Sequence, residues 1–440
     1  MPATLNPLLF CLALFLLEPV RAPVALAATP ADLADAESLS AHLHGSGDLG
    51  ELRDLTVAWD EEAGGTLWLT AEKTTGYAWA VVPPPRQGWK LARRARVEAE
   101  ISNRGPKSVK VLFWVVGDRG WDAVPAMARL APGETRTLAC PLRATFPDGT
   151  PKLDPGQIRQ LQIMVRGRHT LPVTLEVRGL VAAGAAPDWV RPSGRIDLPP
   201  LRDAPPSAGQ RVRYRLAEDE GTGLYSVLHL PADWRPGAAW PLIVEFPGNI
   251  FFDVACYSTG RPDQCVIGHG IARGRGAICL SLPFVDRARR AIAEDGWGDP
   301  EATAAYAVRM VGKVGDKFGA DLRNVLLTGF SRGAIACGFI GLRDDRIATL
   351  WKGFHMCQHY DGDGWNRATM EGALERALRF RGRAVFHTDN DERAVQPVIA
   401  AMQTQATYAR SGLGAHATAM FLDDRPSTRQ LRQWFADLVR

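Results

Sequence analysis

Gly329-Phe330-Ser331-Arg332-Gly333 follows the strand-forming run NVLLTGF and precedes small, helix-compatible residues. A strand passing straight into a helix strains the central residue, and flanking glycines permit an approach that side chains would block. The hydroxyl of Ser331 is then raised above the sheet at a helix N-terminus, where the dipole favours developing negative charge. A serine attacks a carbonyl effectively only when a base takes its proton. In such a setting an acid and then a histidine should follow along the chain. RAVFHTDNDERAVQP is a strand emptying into a carboxylate-rich loop, where Asp389 and Asp391 both qualify as the acid. His416 is the one histidine beyond them, in ATYARSGLGAHATAMF. If ATYA is the last strand, RSGLGAH presents His416 as the base; if AHATAMFL is itself a strand, His416 is structural. An oxyanion hole needs two N–H donors. The amide of Arg332 supplies one, and EFPGNIFF supplies Gly248 and Asn249 for the other, with the Asn249 amide the choice.

These groups meet only if each stands at a strand end. From Arg211 onward, RVRYRLAE and GLYSVLHLP read as an opening antiparallel pair, and PLIVEFPG, GAICLSLP, NVLLTGF, ATLWKGF and RAVFHTD as buried strands. PEATAAYAVRMVGKVGDKFG and STRQLRQWFADL read as helices. Strands alternating with helices predict a mostly parallel sheet flanked by helices over 211–440. Residues 49–183 differ. They hold short alternating runs such as RARVEAEISN and SVKVLFWVVG, with turn residues between them, and predict an all-β sandwich. Residues 28–48 read as a lead-in, and the Pro-rich stretch 184–210 as a linker.

The 440 residues carry 52 Lys plus Arg against 48 Asp plus Glu, a balance that with no dense basic tract excludes a nucleic-acid partner. Leu8 to Leu17 is an apolar core of signal-peptide length followed by Ala25-Leu26-Ala27, so 1–27 reads as a cleaved signal. The expected location is secreted or periplasmic, with no membrane attachment after cleavage. In such a compartment Cys256 and Cys265, bracketing YSTGRPDQ, could close a disulfide, or stay as buried thiols. No CxxC pair occurs, so no cysteine-type zinc site is expected.

FPGN, GFSRG, HTDND and GLGAH together resemble the α/β-hydrolase superfamily over about 230 residues, nearest to secreted serine esterases of the feruloyl-esterase and polyhydroxybutyrate-depolymerase type. The resemblance implies an ester-bearing substrate, a Ser331–His416–Asp391 triad and no cofactor. Asp391 is favoured over Asp389 because HTDND resembles the His-Gly-x-x-Asp spacing at this loop. Two departures stand out: PGN replaces the common His-Gly, and little chain is left for a lid. In WKGFHMCQHYDGDGW, His355 and His359 read as cleft-wall residues rather than metal ligands. The sandwich holds Trp59, Trp68, Trp79, Trp89, Trp114 and Trp121, six of 13 tryptophans. It resembles carbohydrate-binding sandwiches, which implies a polysaccharide substrate if the rings are exposed, and a spacer if they are core. A peptidase of the same fold and a non-catalytic exported glycan binder are the rival readings.

Overall fold

The computed structural model describes residues 36–61, 65–118, 122–170 and 172–440. The expected signal segment, most of the lead-in and Trp121 lie outside them. Residues 37–185 form two antiparallel sheets around a shared core. One sheet runs Thr56–Asp60, Thr66–Ala71, Val173–Ala185, Arg94–Asn103, Thr135–Pro141, with Glu37–Ser38 added along Val173–Ala185. The other runs Leu52–Arg53, Thr74–Val82, Ile158–His169, Val109–Gly117, Ala123–Leu130. Side chains alternate across a strand. In Val109–Gly117, the residues Val109, Val111, Phe113 and Val115 therefore enter the shared core, while Leu112, Trp114 and Val116 point the other way. Both sets are buried, which explains why this strand reads as one continuous apolar run.

Two expected connections are tighter than composition suggests. The lead-in joins the sandwich: Glu37 and Ser38 pair with Ala182 and Val181, and Leu39 and Leu43 are buried. The linker is pinned at both sides. Arg195 pairs with buried Asp122 at 3.0 Å, the Ile196 amide donates to the Leu422 carbonyl at 2.8 Å, and Leu198 is buried against the second half.

The second half is built on a nine-stranded sheet. Its spatial order is Leu201–Arg202, Arg211–Tyr214, Ser226–His229, Ile278–Ser281, Trp240–Phe246, Ala320–Phe330, Gly353–Cys357, Ala384–Thr388, Ala406–Ala409. Arg211–Tyr214 and Ser226–His229 form the antiparallel pair, and the six strands from Ile278–Ser281 to Ala406–Ala409 are mutually parallel. Alternate residues face opposite helix layers. Leu242, Val244 and Phe246 pack in the cluster containing helix Pro300–Phe318, whereas Ile243 and Leu326 pack in that of helices Ile267–Ala272 and Pro426–Leu438. After Trp240–Phe246 the chain adds a strand on one side, then crosses to Ala320–Phe330 on the other. This reversal opens a crevice at the strand carboxyl ends, the usual place for a ligand in an open α/β sheet.

The two halves share an apolar seam. The hairpin Phe251–Asp253/Cys256–Ser258 lies on the outer face of the second antiparallel sheet. The Phe252 ring sits 5.1 Å from Tyr77, 5.8 Å from Trp79 and 6.3 Å from Trp114, all edge-on. Arg166 pairs with Asp253, and the Tyr257 hydroxyl donates to Gln162 at 2.8 Å. Trp79 and Trp114 are therefore covered and offer no stacking face for a sugar. Trp89 is also buried, and Trp59 packs on the sandwich core. The expected disulfide is absent as well: Cys256 and Cys265 are free, buried thiols, with Cys256 enclosed by the apolar cluster around Ile267. Phe252→Ala should cost about 3–5 kcal/mol in urea unfolding, as deleting a buried ring does. A fragment starting at Leu201 should be insoluble or molten because it bares this hairpin face. A soluble, cooperatively unfolding fragment would show that the seam is dispensable.

Candidate active site

Ser331 occupies φ 55°, ψ −123°, a conformation few non-glycine residues adopt, between strand Ala320–Phe330 and helix Arg332–Phe339. The neighbours leave no alternative to glycine. A Cβ on Gly329 would collide with the Gly333 carbonyl group, and one on Gly333 with the Phe246 carbonyl oxygen. The motif is thus a steric requirement of the turn: strand Ala320–Phe330, the Ser331 turn and strand Trp240–Phe246 are in backbone contact. The Ser331 amide donates to the Cys357 carbonyl at 3.2 Å, Gln358 N to Thr388 O at 2.9 Å, and Asp389 N to Ala409 O at 2.9 Å. These bonds stitch the strand ends into one rim.

The loop after Trp240–Phe246 carries Gly248 and Asn249 beside Ser331. Among the described residues, the amides of Asn249 and Arg332 donate to no protein acceptor. They can serve as the two donors of an oxyanion hole. The Asn249 side chain is committed elsewhere, donating to Asp295 at 2.8 Å and accepting from Gly296 N at 2.9 Å. The Arg332 side chain is the feature sequence reading missed. It is 1% exposed, and its guanidinium donates to four carbonyls: Ala293 at 3.1 Å, Gly296 at 2.8 Å, Gly248 at 2.8 Å and Gly260 at 3.0 Å. Burial lowers its pKa to about 9, with Asp295 opposing, so it stays charged at neutral pH.

His416 lies in the loop after Ala406–Ala409, with its ring 4.4 Å from that of Phe330, the residue before Ser331. AMFL in the alternative strand AHATAMFL is a short 3-10 turn instead. Gln358 Nε2 holds this loop through the Ala415 carbonyl at 2.9 Å. Burial, then the neighbouring His359, push the His416 pKa down to about 3. The acid partner differs from expectation. Asp391 is exposed and caps helix Glu392–Ala401, accepting from Arg393 N at 2.8 Å and Ala394 N at 3.4 Å. Asp389, at φ 56°, accepts from Ser411 N at 2.6 Å and Ser411 Oγ at 2.5 Å. Neither bonds His416; Asp389 braces the loop that carries it.

His355 also departs from its expected cleft-wall place. It is fully buried within the sheet, between Thr328 Oγ1 at 2.7 Å and Thr388 Oγ1 at 2.9 Å, bridging three strands. His359 does reach the rim. Its ring stands 5.5 Å from His416, edge-on at 87°, and its Nδ1 bonds Asp363 at 2.6 Å. Asp363 stands four residues on in the chain, a partner that sequence reading does not assign. The structure thus sets the Ser331 turn beside the Gly248–Asn249 loop and sets His416 against Phe330 and His359; among the described residues no hydrogen bond joins Ser331 to either imidazole.

Compared with known proteins, the chain matches no family model, and no curated protein matches it. Among solved structures it is similar to a variant of the AtxE2 isopeptidase with Astexin3-dC4 bound, at 12% identity and TM-score 0.39 over 88% of this chain. The chain spans 55% of that protein's length. An esterase from the fungus Rhizomucor miehei aligns at 13% identity and TM-score 0.36, covering 55% of this chain and 84% of its own. A sugar hydrolase from Lactococcus lactis aligns at 11% and 0.36, covering 52% and 97%.

The buried histidines give stability a pH dependence. Burial holds His229, His355, His387 and His416 near 3 and His269 near 4, below the unfolded value of 6.5. The unfolded chain binds protons that the native state refuses, so their contribution is complete above pH 6.5 and is lost as pH falls toward 3. Glu245, raised to about 7 by burial, acts with the opposite sign between 4.5 and 7. Unfolding at pH 5 should therefore take up roughly four protons through these groups. Urea titrations at pH 7 and pH 5 measure this; a midpoint that holds or rises on acidification would contradict it.

Proposed function

We propose that this chain is a serine hydrolase of the α/β-hydrolase type that cleaves an ester through an acyl-enzyme. The observation that carries this is the strained Ser331 elbow beside two backbone amides with no protein acceptor. Ser331 Oγ bonds to the substrate carbonyl carbon as its proton passes to an imidazole. The carbonyl π electrons move onto oxygen, where the Asn249 and Arg332 amides hold the charge. Collapse re-forms the carbonyl and breaks the bond to the leaving alcohol, which takes the imidazolium proton. Water then repeats the sequence on the acyl-enzyme and frees Ser331. No step calls for a cofactor.

His416 is the base by chain order and by its contact with Phe330. The Asp363–His359 bond favours a second reading, in which His359 accepts the proton and Asp363 holds its tautomer, as the acid does in a triad. A polysaccharide ester remains the proposed substrate class, but Trp79 and Trp114 lend it no support. Among the described sandwich tryptophans, Trp68, half-buried on the first sheet, is the candidate for stacking on a sugar ring.

Ser331→Ala should abolish fluorophosphonate labelling and lower ester turnover by several powers of ten. His416→Ala should do the same while Asp363→Asn stays within about tenfold of wild type; the reverse pattern would move the base to His359. Asp391→Asn should leave turnover nearly unchanged. Wild-type protein that takes no label at Ser331 would end the hydrolase reading.

A further inference from the structure

A hydrolase needs its oxyanion donors aimed before the charge appears. Resting on the reading above, we propose that the N-terminal sandwich is a positioning element of the oxyanion hole. It acts through an ion-pair chain, Glu51–Arg261–Glu294–Arg53, whose two ends lie in the sandwich and whose middle pair sits on the loops gripped by Arg332.

The inner side is a peptide plane. Arg332 binds the Gly248 carbonyl, and across a trans peptide the carbonyl and the next N–H point in opposite directions. Holding Gly248 C=O toward the guanidinium therefore turns the Asn249 N–H away from it. The same guanidinium holds the Ala293 and Gly296 carbonyls. The 293–296 segment is also tied directly to the oxyanion loop, since Ile250 N donates to Glu294 O at 2.9 Å and Asn249 clasps Asp295 and Gly296. Segment and donor are thus mechanically one piece.

The outer side is the sandwich. Glu294 receives Arg53 from strand Leu52–Arg53 and Arg261 Nε at 2.5 Å. Arg261 then grips Glu51 with both terminal nitrogens at 2.9 Å each, a planar two-point fit. Glu294 is 12% exposed, Arg261 25% and Arg53 32%, so these pairs are only partly screened. Arg53 also lies 4.5 Å over the Trp79 ring, which anchors it to the covered face. A second contact reaches the histidine loop. Arg425, which donates to the Ser411 carbonyl at 2.8 Å, pairs with Asp148 of the sandwich at 3.1 Å. The sandwich therefore touches both loops whose placement the chemistry needs.

The test uses the full-length protein, Glu51→Gln, Arg53→Met and their double variant, with 4-nitrophenyl acetate as substrate. The double variant should lose about tenfold in kcat, a fraction of what deleting an oxyanion donor costs. KM should stay within about twofold. Fluorophosphonate labelling at Ser331 should slow in step with kcat. Raising NaCl to 1 M, which shortens screening to about 3 Å, should lower wild-type kcat in the same direction and add nothing in the double variant. Arg53→Lys should recover part of the loss. Unchanged kcat in the double variant, or an equal salt response in variant and wild type, would overturn the proposal while leaving a labelled Ser331 intact. Wild type that takes no label at Ser331 would overturn both. Glu51 is 44% exposed, so Glu51→Gln alone, expected to lose about threefold, still decides the matter if the double variant misfolds.

Discussion

One buried positive charge holds the loops around Ser331 together. Removing a guanidinium from water is expensive unless its hydrogens find acceptors. The two terminal nitrogens of Arg332 find four, all main-chain carbonyls and drawn from three separate segments, while its Nε–H has no protein acceptor among the described residues. Its Cζ also lies 4.0 Å from the centroid of the Phe284 ring, which gives the cation a second favourable contact. No carboxylate binds it directly; Asp295 and Glu294 act through the field. Those carbonyls cannot turn elsewhere without stranding the charge, so the loops around Ser331 have one arrangement available. Rigidity at the donors comes from a penalty for leaving, not from many weak contacts.

The sandwich belongs to the same construction. A sheet with one face in its own core and the other against the hairpin has no free broad face to present. The seam combines aromatic packing at Phe252 with charges at its edge, where water is near enough to solvate them and far enough to leave them coupled. Such a seam resembles the inside of one protein more than a contact between independent modules.

Most of the architecture was legible, for reasons that can be named. Short apolar runs bounded by glycine and proline marked the parallel strands. Ser331 was exposed by its glycines, because only glycine fits where Gly329 and Gly333 approach backbone. One strand shifted: ATLWKGF was expected, but pairing begins at Gly353 and runs to Cys357, which draws His355 into the sheet and releases His359 to the rim. The acid was not legible. Asp389 and Asp391 sit where spacing puts a triad acid, yet one braces Ser411 and the other caps a helix, choices made by neighbours distant in sequence. Arg332 was read only for its amide, since nothing local reveals that a side chain will meet four carbonyls. The tryptophans leave two readings open in the sequence because a covered apolar face and an exposed aromatic platform have the same composition.

The covered face also bears on how the chain is made. Residues 37–185 are contiguous and leave the ribosome before the second half, while the hairpin that caps Trp79 and Trp114 comes more than 60 residues later. Domains generally fold as units, N-terminal first. For that interval the nascent protein carries a finished sandwich with a bare aromatic surface. The surface is a template on which the hairpin can dock, and a hazard if another nascent chain arrives first. Synthesis speed across the intervening segment, including the proline-rich stretch, thus sets how long this sticky stage lasts.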